Sequence, residues 1–492
     1  MKEFILAIDQ GTTSTRAIAF DLDFAPKAVA QIELTQHFPQ PSWVEHDPDE
    51  IWRATLQVCR EVIDKVGGPD AIACIGVTNQ RETTIVWERA TSKAIHKAIV
   101  WQDRRTADVC AALKADGREA MVQAKTGLLL DPYFSGTKIA AILDATGRRD
   151  DADTLAFGTV DSFLIWNLTG GKVHATDATN ASRTLVFGLK PPAWSPELAA
   201  LLRVPVSMLP EVKPSAGDFG HTDPALFGRG IPITGVAGDQ QAALVGHGCL
   251  APGMAKATYG TGCFLVMNSG DAPPISKNRL LATVGYQIGA ATTYALEGSI
   301  FSAGSTIQWL KEGLHLINAS RESEALAAQL KDNGGVYLVP AFAGLGAPQW
   351  NAEARGAIVG LTRDSSAAHV VRAGVEAIAY QTRDLLDALL ADGAPRLTTL
   401  AVDGGVTANG WAMQFLADIC ETPVERPAFQ EVTALGAAKL AAFGAGLIPS
   451  LDAAKARAPA ARWTPSMDAA SREKLLTGWR AAVRGVLSHA EG

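Results

Sequence analysis

The chain has 492 residues, 47% of them hydrophobic and 19% charged, with 46 glycines, the composition of a globular protein too long for one core. Its formal net charge of −7 leaves no large basic surface and argues against a nucleic-acid partner, although a local Arg or Lys can still hold an anionic substrate. Cys59, Cys74, Cys110, Cys249, Cys263 and Cys420 form no C-x-x-C pair and no metal-ligand spacing, which suits reduced thiols in a cytoplasmic protein. No signal-peptide pattern opens the sequence, and no run reaches the roughly 18 apolar residues of a membrane span.

The first element is a strand, turn and strand, "FILAIDQGTTSTRAIAFD". An apolar run from Phe4 to Ile8 ends in Asp9, the tip holds Gly11, Thr12, Thr13 and Ser14, and a second apolar run covers Ala17 to Phe20. Backbone N–H groups and hydroxyls on such a tip can face an anion. Gly11 permits close approach, and Asp9 can hold a hydrated cation through oxygen contacts. A metal-bound polyphosphate fits this tip, and so does an ordinary exposed polar turn. The chain has no G-x-x-x-x-G-K-[ST] loop and no G-x-G-x-x-G fingerprint, so a nucleotide enzyme here needs another phosphate device.

A helix is expected over 48–66 and a strand at "AIACIGVTN", which runs into "GVTNQRETTIVW". Arg81 and Glu82 follow that strand; a guanidinium donates and a carboxylate accepts, so the pair can hold neutral hydroxyls, or it is a surface ion pair. A further strand is expected at "TTIVWE" and a helix over 105–114. Trp101 in "VWQDRR" and Tyr133 in "DPYFSGTK" each offer an apolar wall with a polar handle, or serve as plain core aromatics. In "GVAGDQQAA", Asp239 ends an apolar run, where it can act as a general base or as a helix N-cap.

The middle of the chain echoes its start: "MAKATYGTGCFLVMNSG" is again strand, Gly-Thr turn, strand. Two halves of about 245 residues each would set two such turns across a cleft, so two domains are preferred to the three that length alone allows. The boundary falls near 248–254, giving domains 1–250 and 251–492. Beyond it lie a Gly/Ser-rich helix entry at 298–310, a helix over 318–331, a strand in "GGVYLVPAF", and a helix over 368–391. That helix has an apolar face at 371, 375, 378, 382, 385 and 389, with Ser365 or Ser366 as cap. "LAVDGGVTANG" reads as a strand ending in Asp403-Gly404-Gly405 before a helix over 410–420, either a nucleotide-binding turn or a plain βα connection.

Taken together, "DQGTTSTRA", "GVTNQRETT", "WQDRR", "DPYFSGTK", "AGDQQAALVG", "TYGTGCF", "ALEGSIFSAGSTIQWL", "GLGAPQW", "GAIVGLTRDSSAAHVVRAGVEAIAYQTRD" and "DGGVTANGWAMQFLADI" resemble the FGGY carbohydrate kinases. The match runs in order from residue 9 to about 420. The resemblance implies an α/β fold of two actin-like (ribonuclease H-like) ATPase domains around a deep cleft. The polyol site and first phosphate hairpin belong to the N-terminal domain; the second hairpin and adenosine site belong to the C-terminal one. It implies ATP and Mg2+ as cofactors and, from "NQRET" with "DPYFSGTK" and "AGDQQAA", glycerol rather than xylulose or gluconate as substrate. By matching motif, Arg81, Glu82, Tyr133, Asp239 and Gln240 look like the polyol ligands, with Asp239 the general base, and Trp101 and Phe264 like its apolar walls. Thr12, Thr13, Ser14 and Arg16 look like the first phosphate turn and Thr261 like the second. Gly304, Gln308, Gly405 and Asn409 look like contacts to the nucleotide, and Asp9 like the carboxylate that orients Mg2+. The resemblance also implies a homo-oligomer, a dimer or tetramer.

Two departures stand out. Ala141 stands three residues after the "SGTK" lysine, where the family usually has tryptophan, a packing position. The "RWTPSMDAASREKL" segment lacks the "PGIETT"-like stretch through which some relatives bind a sugar-transport regulator. Beyond residue 450 the Ala-rich sequence is expected to form helices over the second domain. A sibling kinase for another polyol or ketose is the nearest alternative, and a non-catalytic actin-like ATP switch a more distant one.

Overall fold

The computed structural model describes residues 3–453 and 458–491. Five strands form the first sheet: β1 (Phe4–Gln10), β2 (Ser14–Asp21), β3 (Pro26–Glu33), β4 (Ile72–Asn79) and β5 (Ile233–Gly238), in the order β5-β4-β1-β2-β3. β2 pairs antiparallel to β1 and β3 to β2, whereas β4 runs parallel to β1 and β5 parallel to β4. A second sheet holds β6 (Ala255–Tyr259), β7 (Cys263–Gly270), β8 (Leu281–Ile288), β9 (Ala291–Ile300), β10 (Leu400–Asp403), β11 (Val424–Arg426) and β12 (Ala461–Trp463), in the order β8-β9-β7-β6-β10-β11-β12. Its inner run β11-β10-β6-β7-β9 repeats the order and directions of the first sheet. The echo in the sequence is therefore a duplicated lobe, and the fold is the two-lobed actin-like ATPase fold.

Both faces of the first sheet are covered, which explains why its strands read as nearly continuous apolar runs. Leu6, Ile8, Ala17 and Ala19 pack beneath α1 (Pro48–Lys65). Asp47 caps that helix by accepting from Asp49 N at 3.0 Å, and Ile51, Val58, Val62 and Ile63 form its buried stripe. The alternate residues Ile5, Ala7, Ile18 and Phe20 pack on the opposite face, with Ala434, Ala438, Ala441 and Ala442.

Those alanines belong to the sixth helix in a set of seven that frame the site. The others are α2 (Asp239–Gly246), α3 (Gly304–Glu312), α4 (Ala367–Ala391), α5 (Gly410–Cys420) and α7 (Ala469–Glu491), with α6 spanning Val432–Gly444. α6 lies late in the sequence but sits on the first sheet at backbone contact. A Cβ on Gly76 would come within 2.3 Å of Ala437 O, and one on Gly436 within 1.7 Å of Ala242 O. The chain thus returns to the first lobe after building most of the second.

In the second lobe, Val371, Val375, Ile378, Thr382, Leu385 and Leu389 of α4 are buried as their spacing predicts, and Ser366 caps the helix in a reciprocal box with His369. Two expected strands are shorter and stand outside the main sheets: Ile85–Glu88 pairs with Leu155–Gly158, and Tyr337–Val339 with Ala357–Val359. The helix expected over 318–331 is confined to Glu322–Ala328. Past residue 450 the chain first adds β12 to the sheet edge and then forms one long helix, α7. Trp479 fastens it by stacking on Tyr380 at 5.3 Å and donating to Asp384 at 2.9 Å. All six cysteines are buried.

Candidate active site at the mouth of the interlobe cleft

β4 delivers Gln80, Arg81 and Glu82 at its C-terminal end, where parallel sheets place their ligands. Arg81 is 3% exposed and Glu82 1%, so they are not a surface ion pair. Glu82 sits at φ +60, a left-handed conformation that a non-glycine residue holds only under outside constraint. Its carbonyl accepts from Thr84 Oγ1 and Ser135 Oγ, each at 3.0 Å.

Two residues absent from the sequence-based set complete this cluster. Arg183 donates to Glu82 at 2.6 Å and to Glu297 at 2.9 Å, and Glu297 in turn receives Arg81. Burial would raise the Glu297 carboxyl, but Arg183 and Arg81 pull it down to about 2. Burial raises the Glu82 carboxyl despite the same two arginines. The four side chains form a buried, charge-balanced set, in which no member can be removed without leaving an uncompensated charge.

Asp239 opens α2, with Gly238 rather than itself as N-cap. Its Oδ1 accepts from Gln240 N at 2.7 Å and lies 3.2 Å from Arg81 Nε. Its side chain is 31% exposed, against 0–2% for Arg81, Glu82, Arg183 and Glu297, so it is the most open carboxylate of the group. Gly238 is required here, because a Cβ would come within 2.7 Å of Arg81 Cγ. Tyr133 Oη is 3.4 Å from Arg81 Nη2. Trp101 stands edge-on to Tyr133 at 5.7 Å and to Phe264 at 6.1 Å, and Arg81 lies 5.8 Å from the Phe264 ring. Gln240 Oε1 accepts from the buried Lys256, which also donates to Thr258 Oγ1 at 2.9 Å. All seven expected polyol-site residues therefore converge on one place.

The phosphate-side residues are grouped less uniformly. Asp9 lies across from Arg16 on β2. Burial pushes its carboxyl up to about 6, with Arg16 lowering it and Asp239 raising it again. Thr12, Thr13 and Ser14 form the first tip, closed by Gly11 N to Ser14 O at 2.9 Å. Arg16 bonds Gln31 at 2.9 Å and pairs with Glu431, just before α6. Thr261 is exposed at the second tip, and its carbonyl accepts from Ala303 N and Ser305 N at 3.0 Å. Gly304 docks α3 onto that tip, since a Cβ would meet Gly260 O at 2.4 Å, whereas a Cβ on Gly405 would meet nothing within 4 Å. Asn409 is a helix cap: its Oδ1 accepts from Ala412 N at 2.8 Å and its Nδ2 donates to Ser323 at 3.2 Å. Gln308 is exposed and donates to Glu312 at 3.0 Å. At the end of β10, His247 Nε2 lies 2.6 Å from Asp403 Oδ2.

Among the described residues no group of three His, Cys, Asp or Glu side chains is placed to hold a metal ion. Mg2+ usually keeps several waters and takes one or two carboxylates plus phosphate oxygens. Asp9, half-buried at the end of β1 and under the field of Asp239, is a donor of that kind.

The comparisons with known proteins agree with this fold. The FGGY family of carbohydrate kinases matches through its N-terminal domain over residues 4–246 and its C-terminal domain over residues 255–445. A glycerol kinase of Rhodospirillum centenum is 57% identical, with 99% of this chain and 98% of that protein covered. Glycerol kinase 1 of Pseudomonas aeruginosa is 55% identical with both chains covered in full. Among solved structures, Plasmodium falciparum glycerol kinase with ADP superposes with a TM-score of 0.92 at 37% identity over 98% of each chain. A xylulose kinase from Lactobacillus acidophilus reaches 0.89 at 22% identity over 99% of this chain and 98% of its own, a likeness of fold. The chain belongs to the FGGY family of carbohydrate kinases.

Proposed function

We propose that the chain transfers the γ-phosphoryl group of ATP to a terminal hydroxyl of glycerol, yielding ADP and sn-glycerol 3-phosphate. The observation that carries this reading is the half-exposed Asp239 set against a buried Arg81-Glu82 pair and a wall of Trp101, Tyr133 and Phe264. Relatives of 55–57% identity that bear the name glycerol kinase support it.

Glycerol is small and neutral, so its hydroxyls must be held one by one. Donors and acceptors built to meet hydroxyls reject a ligand that lacks one more strongly than an apolar pocket can. Arg81 and Gln240 donate, Glu82 and Asp239 accept, and the three aromatics cover the carbon side. Asp239 takes the proton of the attacking hydroxyl while its oxygen displaces ADP in line, with no covalent enzyme intermediate. Thr12, Thr13 and Ser14 on one lobe and Thr261 on the other donate to the phosphates, and Gly405 offers open backbone to the nucleotide. Arg16, Gln308 and Asn409 engage Glu431, Glu312 and the α5 cap with part of their donors, and the remainder can meet the nucleotide. Asp9, with Asp239 near it, would hold Mg2+, which when bound neutralises charge on the phosphate oxygens. Closure of the lobes keeps water from the reacting phosphorus.

Domains 1–250 and 251–492, the second lending α6 to the first, a homo-oligomeric assembly and a cytoplasmic location belong to the same proposal. Among the described residues no helix is long and apolar enough to cross a membrane. The test is ADP release from MgATP with glycerol, xylulose, ribulose, gluconate, erythritol, dihydroxyacetone or water. Strong turnover with glycerol alone is expected. Preference for another member would reassign the pocket, and equal slow hydrolysis throughout would favour the ATP-switch alternative.

A further inference from the structure

The polyol wall and the first phosphate tip are joined by a hydrogen bond: Trp101 Nε1 lies 2.9 Å from Thr12 Oγ1. An indole N–H can only donate, so the Thr12 oxygen accepts and its own proton is turned elsewhere. Among the described residues no acceptor takes that proton. Thr12 is half-buried at the open end of the tip, so the proton is directed outward, where a phosphoryl oxygen would lie.

The indole itself is pinned from several sides. Its rings stand against Tyr133 and Phe264. Its backbone N–H donates to Thr83 Oγ1 at 3.3 Å, and Thr83 donates to Gln80 Oε1 at 2.9 Å. Gln80 Nε2 then donates to Gln10 Oε1 at 3.0 Å and Gly11 O at 3.2 Å. The strand end that presents Arg81 and Glu82 and the tip that presents Thr12 are thus one hydrogen-bonded unit, with Trp101 facing both ligand sites.

We propose that Trp101 is a positioning residue that couples the two substrates. Its N–H aims the Thr12 hydroxyl at the transferring phosphoryl group, and a polyol packed on the aromatic wall adds contacts that favour the aiming position over the indole's other rotamers. The proposal rests on the glycerol kinase reading above. Coupling of this kind is reciprocal: glycerol tightens nucleotide binding by the same factor as nucleotide tightens glycerol.

Trp101→Phe keeps an apolar ring and removes the N–H. Its kcat is expected to fall about tenfold, less than the roughly 10²–10³-fold of a donor removed outright, because Thr12 keeps its hydroxyl and loses only its aim, with the glycerol KM changed by less than about threefold. ADP titrations with and without glycerol should show coupling in the wild type and near-equal affinities in the variant, a readout that a purely structural wall would not move. Thr12→Val should be impaired as well, Thr12→Ser should recover activity, and Trp101→Phe with Thr12→Val should be no worse than Thr12→Val alone. Full kcat with intact coupling in Trp101→Phe, or additive losses in the double variant, overturns the proposal. Should Trp101→Phe fail to fold, failure of Thr12→Ser to recover what Thr12→Val loses does the same. Wild-type protein inert toward glycerol overturns the kinase reading and the coupling with it.

Discussion

Arg81 and Glu297 are 216 residues apart and come from different lobes, yet their heads meet in two parallel hydrogen bonds, Nη1 to Oε2 at 2.5 Å and Nη2 to Oε1 at 3.2 Å. The fork fixes the plane of the guanidinium and leaves Nε pointing at Asp239. The second lobe thereby orients a ligand of the first.

Glu297→Gln leaves Arg81 and Arg183 buried with one carboxylate between them. Breaking such a set by removing one partner costs about 3–5 kcal/mol, readable by denaturant titration. The glycerol KM should rise with little change in the ATP KM, because the freed guanidinium belongs to the polyol side. Unchanged stability would show that the cluster is solvated rather than charge-balanced.

Asp239→Asn preserves an oxygen for Arg81 and removes the proton acceptor. The kcat is expected to fall about 10²–10⁴-fold while circular dichroism stays that of the wild type, since the side chain is partly exposed. Normal turnover would transfer the base role elsewhere.

Asp384 gives a prediction about pH. Burial pushes its carboxyl up to about 7 from an ordinary 3.8, against the lowering effect of the Trp479 hydrogen bond. A raised native pKa means that its favourable contribution is complete below 3.8 and is lost as pH rises through about 7, at roughly 4 kcal/mol in total. Asp384→Asn keeps an acceptor for Trp479 and no longer ionises. It should melt higher than wild type at about pH 8.5 and close to it at about pH 3.5. A gain of equal size at both would refute the assignment.

Gly436→Val tests the α6 seam. Ala242 O already lies where the first side-chain carbon would go, and overpacking of this kind costs about 1–3 kcal/mol or more. Because Ala242 belongs to α2, whose first residue is Asp239, kcat should fall along with the melting temperature although residue 436 touches no ligand.

The sequence disclosed those parts of the site that lie at strand ends and glycine turns. Asp9, Arg81, Glu82 and Asp239 each interrupt an apolar run, and that break is visible without a structure. The α4 stripe was equally plain. Glu297 and Lys256 were hidden inside strand-like stretches, "YALEGS" and "MAKATY". A lone charge within a buried strand was their available signal, and it needed a partner to acquire meaning. Arg183 lies in "NASRTL", and its role depends wholly on Glu82 and Glu297, which only tertiary contact supplies. Asn409 and Arg16 show the reverse: the motifs placed them near the nucleotide, and local capping and the Glu431 pair engage their side chains.

The return of α6 to the first sheet also bears on how the two lobes move. The chain crosses from the first lobe to the second near residues 247–254 and returns near 427–431, and β12 then lies on the second lobe again. A body tied to another by a single tether can swivel in any direction. Separated crossings, with β8 resting on the first lobe through Ser182 Oγ and Thr283 Oγ1 at 2.8 Å and Gln287 N donating to Ser215 Oγ at 3.1 Å, restrict that freedom. Neither lobe is a severable module. Cutting the gene at residue 250 would strip the first lobe of one whole face and expose the backbone of β4 and β5 at Gly76 and Gly235, where α6 rests in the intact chain.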